Sequence, residues 1–184
     1  MPTTTDGENG EETVSVEPGT QCLVGVPSIR SPLDHLPRSA FENLLVVSTT
    51  RPPSKVERTV RARGGDPENV GVVPVSGSAV DYDGPLWVAD VVGPTDLSGI
   101  DACVADALRY VRPGDGWIVF DNVNVLLMYA QTDNVYQLVS AVASRSRQRD
   151  ARGLFAIVPD AVTESTYDRF RDPFDAELEL TRPR

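Results

Sequence analysis

Lysine and histidine are almost missing from this sequence. Among 184 residues Lys55 is the single lysine and His35 the single histidine, so all but one of the 17 Lys plus Arg residues are arginines. A metal site built on two histidines is thereby excluded, and with it most zinc hydrolases and oxidases. A Ser-His-Asp triad would have to draw its base from the proline-flanked run Ser31-Pro32-Leu33-Asp34-His35-Leu36-Pro37, and any mechanism that needs a lysine must use Lys55. Cysteine is as scarce: Cys22 and Cys103 stand far apart in apolar stretches without CxxC spacing, which reads as two buried free thiols in a reducing cytosol. No apolar run reaches the roughly 18 residues of a membrane span, and residues 1–6 have neither a basic start nor an apolar core. The expectation is a soluble cytoplasmic protein with no membrane partner.

Acidic residues are plentiful, 27 Asp plus Glu against 17 Lys plus Arg, for a formal charge of −10. Such a surface repels nucleic-acid phosphates unless arginines cluster locally. Residues 1–17 carry Asp6, Glu8, Glu11, Glu12 and Glu17, half of that net charge, and little that could be buried, so they are expected to form a disordered acidic tail ahead of one domain over 18–184.

From Gln21 the pattern changes to apolar runs at 22–26, 44–48, 70–75, 86–92, 117–121 and 153–158, and an alternating run at 174–180. Helical spacing of apolar residues falls between them, at about 53–64, 99–112, 133–149 and 163–171. In the third, Val135, Leu138, Val139, Val142 and Ala143 form one stripe while 144–149 point to water. Ser98 and Thr163 are candidate N-caps. Continuous apolar strands alternating with helices predict an α/β fold, a mostly parallel sheet with helices on both faces and an antiparallel or edge strand at the C-terminus.

In such a sheet ligands bind beyond the carboxyl ends of the strands. The segment after the first of these strands, Gly25-Val26-Pro27-Ser28-Ile29-Arg30-Ser31-Pro32, stands where a phosphate loop would lie, and Ile118-Val119-Phe120-Asp121 has the form of a magnesium-orienting strand. With these strings, the turn Val47-Ser48-Thr49-Thr50-Arg51-Pro52 and the closing Gly153-Leu154-Phe155-Ala156-Ile157-Val158-Pro159 in the same order, the chain resembles the RecA-like ATPases of the KaiC-like branch from about Gln21 to Leu180. Its acidic, lysine-poor composition resembles that of haloarchaeal proteins.

That resemblance implies a RecA-like domain and places a degenerate phosphate-loop position at Gly25, Ser28, Arg30 and Ser31, and a vestigial metal-orienting carboxylate at Asp121. It also implies that the family's paired catalytic glutamates are replaced by Thr49 and Thr50, neither of which can take a proton from water. Pro27 and Pro32 lack amide protons, and Lys55 lies on the next helix. Loss of loop lysine and base together removes groups often worth roughly 10²-fold each.

Two readings stand beside each of these residues. Asp121 either orients a metal or caps backbone groups of 122–124. Arg30 either grips an anion or is solvated. Arg145, Arg149 and Arg152 are expected to share a helical face, as a nucleic-acid patch or as cations at a helix C-terminus. The apolar stretch 125–129 is either core or a protein interface. The expectation for function is a non-catalytic RecA/KaiC-like domain that binds a protein partner or its own copies in a regulatory role, with no cofactor. The alternatives are a weak Mg-ATP binder or ATPase, and a DNA-associated accessory protein.

Overall fold

A strand that is apolar along its whole length must be covered on both faces, and alternate residues of each strand here go to opposite sides. In the computed structural model, which describes residues 1–6, 12–28 and 31–180, Cys22 and Val24 point to one core and Leu23 to the other, as do Trp117 and Val119 against Ile118 and Phe120. The central sheet comprises β3 (Gln21–Gly25), β4 (Leu44–Ser48), β5 (Val70–Pro74), β6 (Trp87–Val88), β7 (Trp117–Phe120), β8 (Arg152–Ile157) and β9 (Ala176–Glu179). Its order is β6-β5-β4-β7-β8-β3-β9, and every neighbouring pair is parallel. The C-terminal strand is thus an edge strand and parallel to β3.

One face is covered by α2 (Leu97–Ala107), α3 (Asn124–Tyr129), α4 (Thr132–Gln148) and α5 (Glu164–Phe170). The other is covered by α1 (Pro53–Ala62) and by two 3₁₀ turns, Pro32–His35 and Arg38–Glu42.

The acidic segment over 1–17, expected from its composition to be a disordered tail, holds paired strands in its described residues 1–6 and 12–17. It carries an antiparallel hairpin, β1 (Thr3–Asp6) paired with β2 (Glu12–Ser15), whose connecting residues 7–11 lie outside the described residues. Val14 and Val16 are buried against the α1-side core, the Val16 carbonyl accepts from Arg152 Nε at 2.7 Å, and the Glu12 carbonyl accepts from His35 Nδ1 at 3.0 Å. Two valines and two carbonyl contacts outweigh the polar composition.

Other boundaries shift for local reasons. Asp96, not Ser98, caps α2 by accepting from the Gly99 amide at 2.9 Å, so the helix starts earlier than expected. Thr163 caps α5 through the Thr166 amide. Of the run 144–149, Ser146 is buried and donates to the Val142 carbonyl at 2.7 Å. The expected strand over 86–92 pairs only at Trp87–Val88, with a single further bridge from Val75 to Val92, because Asp90 and Val91 turn outward at the sheet edge.

Two helices close with the same hydrogen-bond pattern on different residues. After α1, Gly64 (φ 76°) donates to Arg61 O and Gly65 to Val60 O. After α4, Asp150 (φ 58°) donates to Arg147 O and Ala151 to Ser146 O. This left-handed position suits glycine, and an aspartate there carries a Cβ penalty. Asp150→Gly should therefore stabilise the protein by up to about 1 kcal/mol and Gly64→Ala destabilise it by about as much. Equilibrium urea unfolding followed by circular dichroism reads both, and a lowered midpoint for Asp150→Gly would show that the side chain contributes more than its backbone strain costs.

Candidate functional site

Chain connections leave β4 toward β5 on one side and β7 toward β8 on the other, so the order reverses between these two neighbours. In an open α/β sheet this is where ligands sit, outside the carboxyl ends. Asp121 closes β7 at that point and is buried.

The carboxylate faces the turn after β4. Its Oδ1 accepts from the Thr49 amide at 2.9 Å and the Thr49 hydroxyl at 2.7 Å, while Oδ2 accepts from the Thr50 hydroxyl at 2.9 Å. Ser48 Oγ lies 3.3 Å from Oδ2, but its one proton has a shorter acceptor in the Arg51 carbonyl at 2.6 Å. The Thr49 hydroxyl also reaches Asn122 O at 2.9 Å. Both oxygens of the buried charge are thus satisfied within the protein, as a buried carboxylate requires. The capping role expected for Asp121 at 122–124 is corrected: the Asn124 amide bonds to the Asn122 side chain at 2.8 Å, and Asp121 instead reaches across to the β4 turn. Asn124 in turn brackets the end of β8, accepting from Val158 N at 2.7 Å and donating to Val158 O at 3.3 Å.

The described residues of the phosphate-loop position, 25–28 and 31–32, do not form a phosphate cradle. Gly25 is strand, with its carbonyl accepting from Leu180 N at 2.9 Å. A Cβ on it would lie 3.4 Å from both Pro159 Cγ and the Tyr167 hydroxyl, so side chains already occupy the space above it. Tyr167 is held by donation to Glu177 at 2.7 Å, and Arg171 Nε binds the same carboxylate at 2.8 Å. Burial and then the Glu177 hydrogen bond push the Tyr167 phenol well up. Burial also acts upward on Glu177, but bonds from Tyr167 and Arg171 outweigh it and hold the carboxyl low.

Ser28 is exposed, Arg30 lies outside the described residues, and Ser31 is buried with its hydroxyl accepting from Leu33 N at 3.3 Å. The chain then enters a 3₁₀ turn of four residues, opened by Pro32, not a helix whose free amides could face a phosphate. Lys55 is exposed on the first turn of α1. A cleft of 330 Å³ does open beside the β4 turn, between 48–54 and 74–81. Among the described residues no three His, Cys, Asp or Glu side chains are grouped to hold a metal ion.

The remaining candidates are separated. Arg152 opens β8 and so cannot share a helical face with Arg145 and Arg149. Arg145 pairs with Asp101, Arg149 donates to Val111 O and Arg109 O at 2.8 Å each, and Arg152 donates to Val16 O and lies over the Trp117 ring. Burial, with Glu177 nearby, pushes the Cys22 thiol up to about 12, which leaves it unreactive. In the stretch 125–129, Leu126 is core, whereas Met128 and Tyr129 are 77% and 57% exposed.

Sequence reasoning missed the Asp121 knot. Its signal was the hydroxyl run Ser48-Thr49-Thr50 itself, which reads as lost glutamates until the neighbouring strand end shows it to be a set of donors.

If the carboxylate is a tie, Asp121→Ala should destabilise the fold by about 2–4 kcal/mol by orphaning buried donors, and Thr50→Val by about 1 kcal/mol. Urea unfolding measures both. A neutral or stabilising Asp121→Ala would be the behaviour of a strained functional carboxylate instead.

A family model described as a family of unknown function (DUF7504) matches residues 29–180. No curated protein matches the chain.

Proposed function

The chain belongs to the DUF7504 family of unknown function, and from its site we propose that it is a non-catalytic RecA/KaiC-like domain that acts by binding a protein partner or its own copies in a regulatory role. One observation carries this reading: the carboxylate that would orient magnesium has both oxygens bonded to the Thr49-Thr50 turn. Threonine at these positions supplies no base, so the same two residues account for lost water activation and for a sequestered metal ligand.

The surroundings support it. Mg-ATP needs backbone amides wrapped around its phosphates, a cation at the terminal phosphate and an open metal ligand. Among the described residues this chain offers a proline-opened 3₁₀ turn after β3, with Pro159 and Tyr167 packed beside Gly25. These described residues do not form an amide cradle for the nucleotide. A nucleic-acid role has less support still, because Arg145, Arg149 and Arg152 are engaged in an ion pair and with backbone carbonyls. Exposed Met128 and Tyr129, on a helix directly after the Asp121 strand, favour a protein contact, since apolar side chains of that size are normally covered.

Thermal unfolding with and without Mg-ATP at high salt tests the proposal. No stabilisation is expected, whereas a nucleotide at 100-fold excess over its dissociation constant would add about 2.7 kcal/mol. A saturable rise in melting temperature that Asp121→Asn abolishes, in a variant that remains folded, would overturn it in favour of a slow ATPase or nucleotide switch.

A further inference from the structure

In two clefts of this protein the acidic or hydroxyl side chains that stand out are engaged within the fold. Asp96 caps α2 and Asp101 pairs with Arg145 in the cleft between α2 and α4, and the hydroxyls beside α1 are bonded to Asp121. A third cleft, of 330 Å³, lies at the opposite, amino end of β4 and β5, where the Asn43 side chain is bonded to Tyr110 O and Arg112 N. Trp87 and Tyr110 form one wall, 43% and 57% exposed, with ring centroids 5.8 Å apart and planes inclined by 49°. Leu45 contributes to the floor, and Glu68 and Asn69 stand at the rim. Among the described residues the Glu68 carboxylate, the Asn69 side-chain amide, the Trp87 indole N–H and the Tyr110 hydroxyl make no hydrogen bond.

The aromatic wall is held in place. The Trp87 indole lies against the backbone of Gly71, where an added Cβ would sit 3.1 Å from its Cε3 atom. Tyr110 touches that indole, and the Arg109 guanidinium lies 5.0 Å from its ring centre. Rings fixed before binding lose little freedom when a ligand stacks on them. At 5.8 Å the two rings are too close for a third to enter between them, and with their planes inclined by 49° a planar ligand stacks on Trp87 and meets Tyr110 at an angle.

We propose that this cleft binds a planar nitrogen base: one ring or two fused rings that stack on Trp87, meet Tyr110 at an angle and donate N–H groups to Glu68. Stacking on aromatic side chains commonly contributes much of the affinity for such rings. The volume, at the low end of about 300–1,000 Å³ for ligand sites, suits a molecule of that size. Glu68 disfavours a phosphate or carboxylate on the ligand, and with the Arg109 charge beside Tyr110 paired to Asp106 at 3.3 Å the carboxylate favours a neutral or cationic ring. The site is distinct from the carboxyl-end site and does not depend on whether nucleotide binding there has been lost.

Tryptophan emission provides the readout, because Trp117 is 4% exposed and Trp87 is the tryptophan a ligand reaches. The full-length protein is titrated with adenine, benzimidazole and 4-aminopyridine, and with cyclohexylamine as a non-planar cation. Saturable quenching by at least one planar base is expected, and none by cyclohexylamine. Glu68→Gln should weaken binding about fivefold and Tyr110→Leu should abolish it, with unchanged circular dichroism and melting temperature in both. Absence of saturable quenching by all three bases up to about 10 mM would overturn the proposal, as would equal binding of cyclohexylamine. Sedimentation that shows a dimer dispersed by Tyr110→Leu would overturn it too, by assigning the aromatic wall to contact between copies.

Discussion

The carboxyl edge of the sheet depends on how the buried charge of Asp121 is satisfied. Leaving an ionised carboxylate unpaired in an apolar interior is far more costly than any single packing defect. Here the partners come from the turn after the neighbouring strand, and meeting that need fixes the turn. Thr49 and Thr50 face β7, and Ser48 closes on the Arg51 carbonyl at 2.6 Å. The Arg51 guanidinium then reaches Thr59 in α1 at 3.0 Å and Asp34 in the 3₁₀ turn after β3 at 3.3 Å. One carboxylate thus initiates a chain of polar contacts from β7 through β4 to α1 and the segment after β3. A hydrophobic replacement of similar volume could fill the space, but it would not orient the turn.

The scarcity of lysine has a structural counterpart in how the arginines are used. Arg63, Arg112, Arg147, Arg149 and Arg152 each donate to one or more main-chain carbonyls of another segment: Leu36, Glu42, Pro173, Val111 with Arg109, and Val16 with Gly114. A guanidinium presents a rigid planar fork and can hold two carbonyls at once, as Arg149 does, whereas an ammonium is a flexible point charge. Loops that would otherwise leave carbonyls half satisfied are stapled to helix ends and strand starts. Arg149 and Arg152, read in sequence either as part of a nucleic-acid patch or as cations at a helix C-terminus, are ties to main-chain carbonyls in the fold.

How much could be read from the sequence depends on the range of each interaction. The apolar runs at 22–26, 44–48 and 117–121 marked central strands because each is buried along its whole length, and apolar residues on both faces imply a parallel sheet covered on two sides. The alternation at 174–180 marked an edge, and β9 lies at one. Features that depend on a partner far along the chain were not legible. Asp121 and Thr49 are 72 positions apart, and nothing local states that β4 and β7 are neighbours. The hairpin over 3–15 rests on Val14 and Val16 meeting a core built by later segments. The six-residue α3 lies in a stretch that reads either as core or as a protein interface, and its Leu126 is core while Met128 and Tyr129 face outward.

The two ends of the sheet have been treated in opposite ways. At the carboxyl end polar groups are bonded to one another, Asp121 to the β4 turn, Asn124 to Val158, and Tyr167 with Arg171 to Glu177, while Pro159 and Tyr167 stand over Gly25. At the amino end near β5 and β6 a tryptophan and a tyrosine remain exposed although they touch each other. Exposed aromatic area costs free energy on the order of 25 cal/mol for each Å² left in water. The β6 ladder stops after Trp87–Val88 and the chain turns out through Asp90. An edge strand this short resists pairing with another sheet, so the exposed rings stand beside an edge that offers little ladder to a second sheet. The fold thereby keeps an aromatic surface available without leaving an open strand beside it.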